Sequence, residues 1–199
     1  MKPAKQIAHL RKKLEKLLDE KRMEHTIGVA YTAASLAFVH GYDPHKALLS
    51  GMLHDCAKYL DDAQMLTLSK KHAIPVSEAE EMAPSLLHAK LGAFFAATEY
   101  DVTDEEILDA IRCHTTGRPG MNLPEKILFV ADYIEPNRKE LPRIDEIRKE
   151  AYTDLDLSIL HITEDTLAYL KEKAKTLDPQ TAETHAYYRE LIASRGAAH

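Results

Sequence analysis

Apolar residues recur along most of this chain at intervals of three and four, the spacing of one face of a helix. Residues 4–20 set Ile7, Leu10, Leu14, Leu17 and Leu18 on one side among lysines and arginines. Residues 24–39 repeat the pattern with Ile27, Ala30, Ala34, Ala37 and Phe38, and Gly41 ends the segment. Asp43 before Pro44 reads as a cap and a first-turn proline, opening a third helix over 44–55. A fourth is expected over 62–72, whereas 75–83 is acidic and shows no clear period. Pro84 opens a helix running to Glu99. Thr103 and Glu106 have the spacing of a capping box, with a helix following to His114. Thr115 to Asn122 holds two glycines and a proline and reads as a loop. Pro124 opens the next helix, which reaches Glu135, and Pro136 and Pro142 bracket a loop. Residues 144–175 are helical with a break near 153–158, 179–194 form the last helix, and the tail RGAAH is expected to fray. No segment alternates as a strand would, and no repeat is present. The expected fold class is all-α, a single helical bundle of about eight to ten helices.

Composition narrows the partners. The 199 residues fit one medium domain, and 45% hydrophobic with 29% charged residues is ordinary for a soluble chain. A net charge of −6 argues against a nucleic-acid polymer as partner, so an anionic substrate must be drawn by local cations or metals. Cys56 and Cys113 are far apart and set among apolar residues, which points to a reducing cytoplasm rather than a disulfide framework. The charged N-terminal stretch MKPAKQIAHLRKKLEKLL lacks a signal core, and no apolar run approaches the roughly 20 residues that span a bilayer, so no membrane is expected. Seven glycines leave little room for a glycine-rich phosphate loop. A monomer or a homodimer acting on a small molecule fits these bounds.

The chemistry concentrates at polar residues in apolar company. His54-Asp55 closes the segment ALLSGMLHDCAK, where an unpartnered carboxylate would be costly to bury. A divalent metal resolves that cost, since imidazole nitrogen and carboxylate oxygen together suit one. His25 begins a helix behind Arg22, His88 lies within SLLHAKLGAFF, His114 closes AIRCH, and Asp132 interrupts ILFVADYI. One histidine on an apolar face is usually a satisfied core residue. Six such positions in a chain of this size favour a metal cluster. His9, His40, His45, His72, His161, His185 and His199 have no comparable setting and read as surface or loop residues.

The order His25, His54-Asp55, Asp132 on successive helices resembles the HD-domain phosphohydrolases. RMEHTIGVA, GMLHDCAK, HAKLGA, AIRCHTTG and LFVADYIEPNR resemble more narrowly the YqeK family of HD proteins, which are symmetrical diadenosine tetraphosphate hydrolases. HTTG and ADYIEPNR are the specific blocks, and Cys56 replaces a small aliphatic residue commoner there. The resemblance implies a single HD domain over 1–199, with a catalytic core over about 20–140 and helices of 144–195 completing the bundle. It implies one metal on His25, His54, Asp55 and Asp132, and a second reached by Asp55 as a bridge and held by His88 and His114. The family is associated with iron, with manganese as the alternative, and its reaction splits the tetraphosphate centrally to give two ADP.

Two divalent ions roughly 3.5–4 Å apart would lower the pKa of a bridging water and clamp a phosphoryl oxygen, so that a hydroxide attacks in line. Asp55 is the expected catalytic bridge. Lys58 lies one helical turn beyond His54, sharing its face, and is expected to act in catalysis and phosphate binding. Arg138, Arg118 and Thr115 are the other substrate-binding candidates, lying beside the expected ligands. Thr26 could bond a ligand or phosphate. Glu135 could orient a ligand or accept from Arg138, or simply face solvent. Two other readings stay open: an HD hydrolase of another nucleotide such as a deoxynucleotide, and a nucleotide-binding regulatory module.

Overall fold

The computed structural model describes residues 3–138 and 141–196, and every regular element among them is helical. The first four helices are α1 (Pro3–Leu14), α2 (Glu20–His40), α3 (Pro44–Leu53) and α4 (Asp62–Lys71). A short α5 (Glu78–Met82) and a 3-10 turn (Pro84–Leu87) lead into α6 (His88–Thr98) and α7 (Glu105–Cys113). Then come α8 (Leu123–Ile134), α9 (Ile144–Glu150), α10 (Leu155–Glu172) and α11 (Pro179–Gly196). The expected all-α class holds, with eleven α-helices among the described residues where eight to ten were expected.

The surplus comes from breaks that a periodic pattern does not register. The segment expected over 4–20 stops at Leu14, because Asp19 turns to cap α2 through the Arg22 amide at 2.8 Å. His25 therefore sits in the second turn of α2 rather than at its start. The helix expected over 84–99 divides at Leu87, so His88 is the first residue of α6 and not a mid-helix residue. The acidic stretch near 80 does form a helix, held by a capping box between Ser77 and Glu80. The proposed box of Thr103 with Glu106 is incorrect: Asp104 caps α7, its carboxylate accepting from the Glu106 amide at 3.1 Å. The break expected near 153–158 lies at 151–154, before the Asp154 cap of α10. Arg195 and Gly196 of the supposedly frayed tail are helical, and 197–199 lie outside the described residues.

α2, α3, α7 and α8 form the centre, with α6 against α7 and α10 against α8. Their shared core includes Val29, Ala33, Leu36, Leu53, Ile111, Ile127 and Leu128, all fully shielded from solvent. Small residues set the closest approach. A Cβ on Gly51 would stand 2.5 Å from the Ala30 Cα, so α3 meets the backbone of α2 only because Gly51 has none. α11 docks through Tyr188, which is entirely buried. A smaller cluster of Ala57, Met65, Leu87 and Leu91 seats α4 beneath the 3-10 turn.

Candidate metal centre

Six polar side chains from five segments meet where α2, α8 and the ends of α3 and α7 converge. Three of the four histidines stand at helix ends: His54 follows α3, His88 follows the 3-10 turn and His114 follows α7. At a helix end the last carbonyls lack their usual amide partners. Each ring uses one: His54 Nδ1 donates to Gly51 O at 2.7 Å, His88 to Ser85 O at 2.6 Å, and His114 to Ile111 O at 2.7 Å. His25 lies inside α2, where the carbonyls are committed, and its Nδ1 pairs instead with Glu135 Oε1 at 3.1 Å.

These partners accept only, so Nδ1 carries the proton in every neutral ring and Nε2 is left bare. All four Nε2 atoms point inward. Those of His25 and His54 are 3.3 Å apart, and those of His88 and His114 are 3.0 Å apart. Two lone pairs facing at that distance repel unless a cation lies between them.

Asp55 joins the two pairs. Its Oδ2 is 3.8 Å from His25 Nε2 and 3.4 Å from His54 Nε2, while Oδ1 is 3.4 Å from His88 Nε2 and 3.7 Å from His114 Nε2. Asp132 Oδ1 serves the first pair alone, 3.0 Å from His25 and 3.9 Å from His54. All the histidines and Asp55 are buried. Four imidazoles and two carboxylates, without sulfur, suit a divalent transition metal in each half rather than a closed structural zinc site.

Charge follows geometry. Burial alone would raise the Asp55 carboxyl, but His54 and His114 hold it well below the usual carboxylate range. Asp132 is likewise lowered against its own burial, by His25 first and then by His54 and Arg138. Burial, assisted by Lys58, pushes His88 well below the ordinary imidazole value. His25 is raised, because Asp132 and Glu135 outweigh its burial.

The expected substrate cations divide. Arg138 sits at the cluster, its Nη2 donating to Asp132 Oδ1 at 3.0 Å. Lys58 also lies in the field of Asp55 and Asp132, and burial lowers its ammonium. It does not arrive there as a continuation of α3, which ends at Leu53; tight turns carry the chain through 54–59. Arg118 points elsewhere: its guanidinium grips the buried Glu125 carboxylate, at 3.0 Å from Nε and 2.8 Å from Nη2. The Thr115 hydroxyl stands 3.1 Å from His88 Nε2 and 3.2 Å from His114 Nε2. Thr26 is buried with no partner for its hydroxyl.

One participant escaped the sequence reading and another takes one of the roles expected of it. Arg22 donates from Nη1 to Asp55 Oδ2 at 2.8 Å. Glu135 orients a ring rather than facing solvent: it is 1% exposed and anchors His25. Arg22 lies one helical turn before His25 and Glu135 three residues after Asp132, and that spacing was the available signal. Gly28 makes room for Glu135, since a Cβ there would stand 2.5 Å from its Oε2.

The loop bearing Thr115 is held from the far end of the chain. Thr184 Oγ1 donates to Thr116 O at 3.1 Å, and Gln180 Nε2 to Gly117 O. A cavity of about 100 Å³ opens behind Thr115, lined in part by Lys90, Arg112, Thr116, Asp178 and Gln180.

Residues 22–137, which carry the whole cluster, match the HD domain family. This chain is an HD-family protein. Among HD proteins it is 42% identical over 175 residues to "Bis(5'-nucleosyl)-tetraphosphatase, symmetrical" of Halalkalibacterium halodurans, covering 88% of this chain and 91% of that one. It is 42% identical over 168 residues to the Bacillus subtilis protein of the same name, covering 84% and 89%. A crystal structure from Clostridium acetobutylicum, described as a predicted HD superfamily hydrolase involved in NAD metabolism, superposes with a TM-score of 0.88. That pair shares 35% identity over 92% of this chain and 96% of the other. The HD protein described here therefore belongs to the YqeK family with these relatives.

Proposed function

We propose that this protein hydrolyses dinucleoside polyphosphates in a metal-dependent reaction, splitting diadenosine tetraphosphate symmetrically into two ADP. One observation carries the reading. Asp55 presents one oxygen to the His25/His54 pair and the other to the His88/His114 pair. That is the donor arrangement of a two-metal phosphohydrolase. His25, His54, Asp55 and Asp132 would hold one ion, and Asp55, His88 and His114 the other. When bound, such ions would neutralise phosphoryl oxygens and lower the pKa of a water toward neutrality. We take iron as the resident metal and manganese as its substitute.

The chain's own groups supply the rest. The Nδ1 anchors fix each ring in one tautomer and orientation. Arg22, Arg138 and Lys58 bring three cations to the rim beside Asp55 and Asp132. They neutralise charge on the phosphate chain and on the departing diphosphate, which needs no proton near neutral pH. Thr115 flanks the second histidine pair, and the small cavity lies on its far side. Arg118 contributes by holding the loop through Glu125. Residues 1–199 act as one HD domain with its core over about 20–140, and 144–195 complete the bundle. Two free buried thiols suit a reducing cytoplasm, and among the described residues no helix is long and apolar enough to cross a membrane. The partner is a small nucleotide, met by a monomer or homodimer.

Product analysis tests the assignment. Metal-loaded protein given diadenosine tetraphosphate should yield ADP as its sole nucleotide product. AMP with ATP overturns symmetrical cleavage, and turnover confined to deoxynucleotides moves the activity elsewhere within the family.

A further inference from the structure

Arg148 lies on α9, outside the cluster, yet its guanidinium reaches three backbone carbonyls of a different segment. Its Nε donates to Ile134 O at 3.0 Å, and its Nη2 donates to Glu135 O and to Arg138 O, each at 3.1 Å. Among the described residues its carboxylate partner is Asp145, at 3.4 Å and 87% exposed, a pairing worth little in water. The fork is therefore committed to the chain that leaves α8.

That chain is a turn serving the cluster. α8 ends at Ile134, where the last carbonyls lack amide partners, and Pro136 cannot continue the helix. The Arg138 amide closes the turn on Glu135 O at 3.0 Å. The Arg138 side chain then folds back on Asp132, its Nε donating to Asp132 O at 3.2 Å and its Nη2 to Asp132 Oδ1 at 3.0 Å. Glu135 is fixed independently at both oxygens: Oε1 pairs with His25 Nδ1, and Oε2 accepts from the Asn137 amide at 2.7 Å.

A helix cap would need only the carbonyls of Ile134 and Glu135. Arg148 also takes Arg138 O, and that third bond ties the base of the Arg138 side chain to α9. The tie is firm because Ile147, beside Arg148, is fully buried. Arg138 itself is 39% exposed, so a loose backbone beneath it would add to the many rotamers its long side chain can sample. A guanidinium suits the task, since its planar fork presents donors in fixed directions. An ammonium on a flexible stem carries the same charge without that geometry.

We propose that Arg148 is a positioning residue: by holding the carbonyls of Ile134, Glu135 and Arg138 it fixes the turn from which the Arg138 guanidinium meets the phosphate chain. α9 then does more than complete the bundle. This rests on the reading of Arg138 as a phosphate-binding cation given above.

The test is a double-substitution cycle on Mn²⁺-loaded protein. It reads kcat and KM for diadenosine tetraphosphate, and the affinity for N-methylanthraniloyl-ADP by fluorescence. Arg138→Ala should lower kcat/KM about 10–100-fold, the loss of one charge-assisted bond. Arg148→Lys, which keeps the charge and loses the fork, should lower both kcat/KM and nucleotide affinity about fivefold or more. In the Arg138→Ala background, where the backbone carbonyl remains but the positioned group is gone, the same substitution should change either quantity less than about twofold. Affinity for Mn²⁺ should be unchanged by Arg148→Lys. Equal losses in both backgrounds would make Arg148 a general support of the fold and overturn the proposal, as would no loss in Arg148→Lys. An Arg138→Ala protein with unaltered kinetics and affinity would remove both the phosphate role of Arg138 and the positioning role with it. Protein that binds the fluorescent ADP but leaves the tetraphosphate uncut would lose the symmetrical-cleavage reading, while the cycle in binding still decides on Arg148.

Discussion

Gly28→Ala is the smallest substitution that reaches the cluster. Its new Cβ would lie 2.5 Å from Glu135 Oε2, so the carboxylate must leave His25 Nδ1. Alanine is otherwise favoured inside a helix by about 1 kcal/mol, so the fold should survive. We expect metal affinity to fall about 10–100-fold while helical content is unchanged, read by metal titration beside circular dichroism. Unaltered affinity would mean that Glu135 does not hold the ring. Asp55→Ala removes the group common to both halves and should abolish metal retention and turnover together. His161→Ala is the control: that ring bonds Glu150 at 2.9 Å, away from the cluster, and turnover should not change. At this scale the six clustered residues were legible because each is a polar side chain in an apolar segment. Arg22 was not, and Glu135 only as one of three alternatives, because charged residues near helix ends ordinarily face solvent. Only the fold shows that Glu135 turns inward over Gly28.

Gly117 couples two elements far apart in the chain. It has φ +64° in the loop between α7 and α8, and a Cβ there would lie 2.7 Å from Thr184 Cγ2 on α11. Gly117→Ala combines left-handed strain with that clash, and should cost about 1–3 kcal/mol, read as a lowered midpoint in thermal unfolding. Adding Thr184→Ser deletes the offending methyl but keeps the hydroxyl bonded to Thr116 O, and should recover part of the loss. No recovery would place the cost in backbone strain alone. Helix existence was readable from periodicity in nearly every segment. Where helices stop was less so. The turn after Leu53 comes two residues before the expected end at 55, and the division at Leu87 has no glycine or proline after it to mark where the helix restarts. Those breaks nonetheless put His54 and His88 at helix ends, where free carbonyls fix their rings.

The docking of α10 and α11 was the least legible part of the molecule, since it depends on which distant faces meet. The core as a whole also buries groups whose chemistry can be tested. Cys113 is pushed up to about 12, by burial first and by Glu125 next, and burial raises the Cys56 thiol as well. Neither forms appreciable thiolate at neutral pH, so iodoacetamide should leave both unmodified in native protein and alkylate both in urea. Rapid native alkylation would contradict the packing.

The same burial makes the metal-free protein sensitive to acid. His88 sits well below its unfolded value of 6.5. Between that value and its folded one, the unfolded chain binds a proton that the folded chain refuses, so stability falls as pH falls below 6.5. His25 acts in the opposite sense: its value is raised, so its contribution is fully present below 6.5 and is lost as pH rises through its folded value. Asp55 and Asp132 are lowered, so their contributions are present above 3.8 and fade only in stronger acid. In mild acid the two histidines therefore compete, and His88, the further displaced, sets the sign. Urea unfolding of stripped protein at pH 7 and pH 5 should show lower stability at pH 5. His88→Gln, which cannot take up a proton, should lose that decline and even reverse it as His25 acts unopposed. A decline of equal size in the variant would refute the assignment to His88. Saturating Mn²⁺ should raise stability at pH 7 and lose much of that effect at pH 5, because protons and metal compete for the same Nε2 lone pairs.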